Sequence, residues 1–343
     1  MPPGSCEQRT TLPQRLPPDR RRIQHDSAAE AQRALLTTLR ETVERADAEH
    51  ALQGALQGLA ALARSPSPAA DGLLGANPQA QDTRAEILDE LARLIERMQS
   101  SLPGDARTPD LPTRVVLGGA LRVLARSRRD GEGEPVDPDL SAELADWIGR
   151  YERPRAEHLR HSLRPRALPA LAPTSPLLTM SLIVPEGIAG EREACFHQTL
   201  GMTAGAYFRA GDWPARIWHA TRTAAHFIDD EGLAYANFVR APGDGEAAAT
   251  HTENSALAFT LFLQEGYRCA PPSISPPSRV ALEAIAASVF EIGYLNARGG
   301  HRTPLSGFVA DVTYLALAPF LGPAAAEREI EALVRETLEG AGT

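Results

Sequence analysis

PSRVAL, residues 277–282, is a near copy of PTRVVL at residues 112–117, and LSGFVAD at 305–311 is a near copy of LSAELAD at 140–146, both at a separation of 165 positions. Earlier in the chain Arg45, Ala46, Ala51, Ala60 and Ala61 match Arg209, Ala210, Ala215, Ala224 and Ala225 at a separation of 164. Each match alone is weak in a sequence rich in Ala and Leu. One near-constant offset across all of them marks a duplicated unit of about 165 residues.

The period of the apolar residues says what the unit is made of. Leu52, Leu56, Leu59 and Leu62 recur at helical spacing until Ser65-Pro66-Ser67-Pro68 stops the run. Ile87, Leu88, Leu91, Leu94, Ile95 and Met98 trace the stripe of a further helix, with Arg84, Glu86, Asp89, Glu90, Arg93 and Arg97 expected to face out. The same reading predicts helices near 113–129 and 140–151, then over 191–209, 214–228, 253–267, 278–297 and 305–320, and a charged one after Gly322-Pro323. No run alternates with period two for long enough to demand a strand. The predicted fold is all-α.

Pro-rich, aperiodic stretches divide the chain. Residues 1–26 hold five prolines and five arginines and bury too little apolar surface to offset the entropy of ordering, so a disordered arm is expected there. Residues 27–152 read as a first domain, 153–190 as a Pro- and Arg-rich linker, and 191–338 as a second domain.

Composition narrows the function. With 44 acidic against 35 basic residues the net charge is -9, which argues against a surface that coats phosphate backbones, so direct DNA binding is not expected. Cys6, Cys195 and Cys269 are too few and too far apart for a disulfide framework or a zinc pattern. Neither an export signal nor a run of about 18 apolar residues is written in the chain, and a cytoplasmic protein without membrane contact is expected.

The second block, through RAGDWPARIWHATRTAAHFI (209–228), AFTLFLQEGYR (258–268), PSRVALEAIAASVFEIGYLNARGG (277–300) and TYLALAPFLGPAAA (313–326), resembles the regulatory domain of TetR/AcrR-family transcriptional regulators. The first block resembles it more faintly, through ALLTTLRETVERA (34–46), LPTRVVLGGALRVLARSRR (111–129) and LSAELADWIGRYERP (140–154). The resemblance implies two tandem helical sensor domains, each with a ligand cavity among its earlier helices and a last helix pair that joins a partner's pair in a four-helix bundle. Duplication puts both pairs on one chain, so an intramolecular pseudo-dimer is expected. Its seam residues would be Val115, Leu117, Leu121, Leu144 and Ile148 in the first block and Leu282, Ile285, Val289, Val309 and Leu315 in the second. A family member also carries about 45 residues of helix-turn-helix headpiece before its sensor domain. Neither 1–26 nor the proline-broken 155–190 has the room and pattern for one, since proline costs a helix interior about 3 kcal/mol.

No catalytic constellation is evident: the chain lacks a nucleophile elbow, a P-loop and a dinucleotide fingerprint, Ser306 in LSGF reads as a loop or cap serine, and an enzyme is not expected. His219, His226, Asp229 and Asp230 share a helix, but the histidines, seven residues apart, stand about 10 Å from each other. They read as surface or pocket-lining groups, and no metal or cofactor is expected. Arg20-Arg21-Arg22 and the arginines of 153–166 read as solvated linker charge. The aromatics are more telling, because the first block holds only Trp147 and Tyr151 while the second is rich in them. Trp218, Phe238, Phe259, Phe262 and Tyr294 are the candidate walls of a site for a small apolar or amphipathic ligand, with His226 or Asn237 as its polar contact. Two functions are therefore expected in order: a small-molecule-sensing regulatory protein without autonomous DNA binding, or an interaction protein that sequesters an intact TetR-family chain by heterodimerisation.

Overall fold

The computed structural model describes residues 33–48, 50–65, 70, 73–75, 78–100, 113–131, 137–151, 189–238, 246–298 and 304–340. The expected arm, nearly all of the linker and the positions considered for a headpiece lie outside them. Among the described residues every regular element is helical, and no helix is long and apolar enough to cross a membrane.

The first half comprises α1 (33–45), α2 (Ala51–Arg64), α3 (Pro78–Gln99), α4 (Thr113–Asp130) and α5 (Pro138–Ile148). The second comprises α6 (Ala189–Arg209), α7 (Trp213–Asp230), α8 (Gly232–Phe238), α9 (Glu246–Leu263), the short α10 (Gly266–Cys269), α11 (Arg279–Arg298), a 3-10 turn (Leu305–Phe308), α12 (Val309–Leu321) and α13 (Pro323–Gly340). Helix ends recur at the repeat spacing: α1 ends at 45 and α6 at 209, α3 at 99 and α9 at 263.

Local chemistry sets these boundaries. Asp212 caps α7 by accepting the Ala215 N–H at 3.1 Å, and Asp137 caps α5 by accepting the Asp139 N–H at 2.9 Å, each followed by a proline in the first turn. α12 stops at Gly322, whose φ of 81° lies in the left-handed region where a side chain is disfavoured, and Pro323 then starts α13. Near the end of α9, Glu265 accepts the Tyr207 hydroxyl at 2.6 Å and the Arg216 guanidinium at 3.0 Å. The Tyr207 bond foremost, with Arg216, holds this carboxyl below the usual carboxylate range against the opposing effect of burial. A depressed carboxyl stabilises the fold fully above its ordinary value of 4.5 and loses that contribution as pH falls through the folded value. Glu265→Gln should therefore lower the melting temperature at pH 7, and the gap to wild type should close under acid. A gap that stays constant from neutral pH down into the acid range counts against this role.

Within the first half α2 packs on α3, α4 and α5, and α3 on α4. In the second, α7 is the hub, touching α6, α8, α12 and α13, while α9 packs on α11. The halves meet where α11 lies along α4 and also touches α5. Gly118 and Gly119 make the approach possible: a Cβ on Gly118 would stand 2.6 Å from Cγ of Glu291, and one on Gly119 would stand 2.7 Å from the Ala284 carbonyl oxygen. Arg122 reaches Glu291 at 2.9 Å and Arg126 reaches Glu283 at 3.2 Å. The helices run antiparallel, since Gly118 faces Glu291 and Arg126 faces Glu283. At the repeat spacing Gly118 corresponds to Glu283 and Arg126 to Glu291. The two contacts are thus mates under a twofold operation, the pattern of an isologous interface. Beside this seam the Trp147 indole N–H donates to the Tyr151 hydroxyl at 2.8 Å, and that hydroxyl donates across to the Leu315 carbonyl at 3.0 Å.

These contacts correct the expected seam. All ten of its proposed residues are buried, but Leu117, Leu121 and Val289 do not share the face that makes the crossing. At about 100° per residue, Leu117 and Leu121 lie well over 90° from the face of α4 carrying Gly118, Gly119, Arg122 and Arg126. Val289 lines a cavity inside the second half. Val115 does lie on the crossing face, and the Leu315 backbone is touched from the first half; Leu144, Ile148, Ile285 and Val309 are core residues of helices near the seam. Small residues bring the two backbones together and arginine–glutamate pairs flank them, in place of an apolar stripe. Arg84, expected to face out, is buried and donates through Nη2 to the Gly75 carbonyl at 2.8 Å.

Candidate ligand cavity

Helices α6, α7, α8, α9, α11 and the turn leading into α12 enclose a cavity of about 140 Å³. Six phenylalanines face it: Phe196, Phe238, Phe259, Phe262, Phe290 and Phe308. Phe238 and Phe290 stack with centroids 5.0 Å apart, and Phe259 meets Phe262 edge-on at 6.5 Å. Gly293 makes room for this wall, because a Cβ there would collide with the Phe238 ring. Ala224, Ala225, Ala234 and Ala258 leave the space that larger side chains would fill.

The roof is placed by an aspartate. Asp229, at the end of α7, accepts the Leu305 N–H at 2.7 Å and the Ser306 N–H at 3.0 Å, and so fixes the turn that points Leu305 and Phe308 into the cavity. Asp229 thereby has a structural task apart from the histidines beside it. Among the described residues no group of His, Cys, Asp and Glu is arranged to hold a metal.

Polarity inside is sparse. Among the described residues no charged side chain lines the cavity, and the hydroxyls among them belong to Thr199, Thr203, Thr221 and Ser255. Thr199 and Thr203 bond back to the Cys195 and Thr199 carbonyls of their own helix at 2.8 and 2.7 Å. Thr221 Oγ1 is buried with no hydrogen-bond partner. A buried hydroxyl left unmet costs about 1–3 kcal/mol, so it is a standing request for a polar atom.

Three of the seven expected ligand residues, Phe238, Phe259 and Phe262, line this cavity together. Trp218 is buried in the core one turn before Thr221, outside the lining. His226 is exposed; it sits about 150° around α7 from the face that carries Thr221, Ala224, Ala225 and Ile228. Tyr294 is buried against a separate small cleft with Arg84, Arg122 and Glu291. The Asn237 side chain lies outside the described residues. Sequence reasoning missed Phe196, Phe290, Phe308 and Thr221. The spacing Thr221, Ala224, Ala225, Ile228 is a helical stripe of small and neutral residues and was the available signal for the α7 wall.

No family model, no curated protein and no solved structure matches this chain.

Proposed function

We propose that the chain is a TetR-like regulatory protein that senses a small, uncharged, amphipathic molecule in its second half, without itself binding DNA. The observation that carries this reading is the apolar cavity with one orphaned hydroxyl. Its volume is close to that of the roughly 150 Å³ engineered cavity that accepts benzene, which favours a compact aromatic of one ring or one fused pair of rings. Among the described residues no cation lines the cavity, which disfavours carboxylates and phosphates, because a desolvated anion there would lack a counter-charge. Thr221 favours a ring bearing one hydroxyl or N–H group. The cavity shares α11 with the seam, since Val289, Phe290 and Ile292 face the ligand space while Ala284 and Ser288 face α4. Filling the cavity therefore acts on the helix that joins the halves, in the manner of a population shift between two packings. The sequestering reading is less favoured because α4 and α11 already occupy one another. The net charge of -9 weighs against operator binding, and no catalytic role is assigned.

Thermal melting of the full chain with indole and with phenol tests the reading. Ligand at about 100 times its Kd stabilises by about 2.7 kcal/mol, a clear rise in melting temperature. Ala258→Leu, which adds bulk in the cavity, should abolish that rise, and Thr221→Val should weaken it while sparing the response to benzene. A response that survives Ala258→Leu unchanged, or no response to any of the three probes, would sink the proposal.

A further inference from the structure

On the other side of Phe290 from the apolar cavity lies a second, smaller cleft of about 40 Å³. Its chemistry is the opposite. Arg84 of α3 and Arg122, Arg126 and Arg129 of α4 line it, joined by Ala256 and Leu257 of α9 and by Glu283, Ala287 and Phe290 of α11. The cleft therefore sits at the seam, walled by both halves of the chain. Among the described residues Glu283 is the acidic side chain in its lining.

Two of these guanidinium groups are incompletely met. Arg84 is 8% exposed; its Nη2 donates to the neutral Gly75 carbonyl, and its Nε is buried with no partner. Arg122 gives its Nε to Glu291, while its Nη1 is also buried with no partner. Arg126 is divided between Glu283 and Asp130. Burial foremost, and then the charge of Arg122, bring the Arg84 guanidinium down to about 10 against the opposing charge of Glu291, which leaves it cationic at neutral pH. A buried cation whose hydrogen bonds end on a neutral carbonyl is costly, and like charges beside it add to the cost. Planar guanidinium donors converging from two helices are what a tetrahedral oxyanion satisfies best, through charge-assisted and bidentate bonds.

We infer that this cleft binds a compact oxyanion, phosphate or a terminal phosphate group, held between Arg84 and Arg122 at the junction of the two halves. The anion gives the arginine side chains that line the cleft a charged acceptor, and it ties α3 to α4 and the seam. The small volume excludes a large ligand from the cleft itself, though not a phosphate carried on a larger molecule that stays outside. This site is chemically distinct from the apolar cavity, with which it shares the Phe290 ring: one space suits an uncharged ring, the other a multiply charged ion.

Titration calorimetry and thermal melting of the full chain in chloride buffer at fixed ionic strength, with inorganic phosphate as the probe, test the inference. Phosphate should bind saturably at one site per chain and raise the melting temperature, while the same ionic strength of added chloride should not. Arg122→Gln should weaken binding by about tenfold or more, as expected for loss of a charge-assisted bond. Because that change also strands Glu291, Arg129→Gln at the mouth of the cleft is the second variant, and it too should weaken binding. Glucose 6-phosphate separates the two sources: tighter binding than inorganic phosphate assigns the site to a phosphate monoester, and weaker binding assigns it to the free ion. No saturable effect of either probe beyond that of chloride, or undiminished phosphate affinity in a folded Arg122→Gln or Arg129→Gln chain, overturns the inference.

Discussion

Gly119→Leu should be the most damaging single change at the seam, destabilising the chain by about 3 kcal/mol or more in urea denaturation. Overpacking a filled core costs about 1–3 kcal/mol, and occasionally more when the obstacle is backbone. Here it is backbone: the first added carbon meets the Ala284 carbonyl oxygen at 2.7 Å and the Ser288 nitrogen at 2.9 Å, neither of which a rotamer change can move. Helix propensity points the other way, since replacing a mid-helix glycine by alanine ordinarily gains about 1 kcal/mol. The pair of variants Gly119→Ala and Gly201→Ala separates the two effects. A Cβ at Gly201 of α6 meets nothing within 4 Å, so that variant should be neutral or stabilised while Gly119→Ala loses stability. Equal gains from both would show that α4 and α11 do not approach as described.

Trp147→Ala should cost about 3–5 kcal/mol, the usual toll for a fully buried large aromatic. Trp147 has no exposed surface, packs edge-on against Tyr151 at 5.9 Å, and donates its N–H to the Tyr151 hydroxyl. Burial pushes that hydroxyl well above its ordinary pKa, so it stays protonated and can donate on to Leu315 in the second half. Truncation therefore opens a void in one half and loosens a contact to the other. The buried apolar residues of both halves form one continuous cluster, so the loss should appear as a single transition at lower denaturant. Two separated transitions would mean that the halves unfold independently. In buffer where the variant remains folded, its affinity for indole should match wild type, because Trp147 lies outside the cavity.

The helices were legible in the sequence because their ends are written in local chemistry. Ser65 does follow the last residue of α2, Asp212 and Pro214 open α7, and Gly322-Pro323 separates α12 from α13. The seam was not legible, for a physical reason. Residues 113–121 of α4 are all buried, so its first half has no solvent face and apolar period cannot say which side meets α11. The contacts that decide it, Arg122 with Glu291 and Arg126 with Glu283, join residues more than 150 positions apart. The cavity was half legible. An uneven share of aromatics pointed to the second half and to Phe238, Phe259 and Phe262, but an empty space is defined by what several helices fail to fill. His226 is exposed and Tyr294 borders a separate cleft, so both lie on lining helices but away from this cavity.

Phe290 lines both the apolar cavity and the basic cleft, and among the described residues no other is common to the two linings. A ring that borders two spaces behaves as a sliding partition: swinging it to enlarge one compartment shrinks the other. If occupants of the two compartments both act on this ring, thermodynamic reciprocity requires each to alter the other's affinity by the same factor. One side chain thus forms the wall between a neutral space and a basic one.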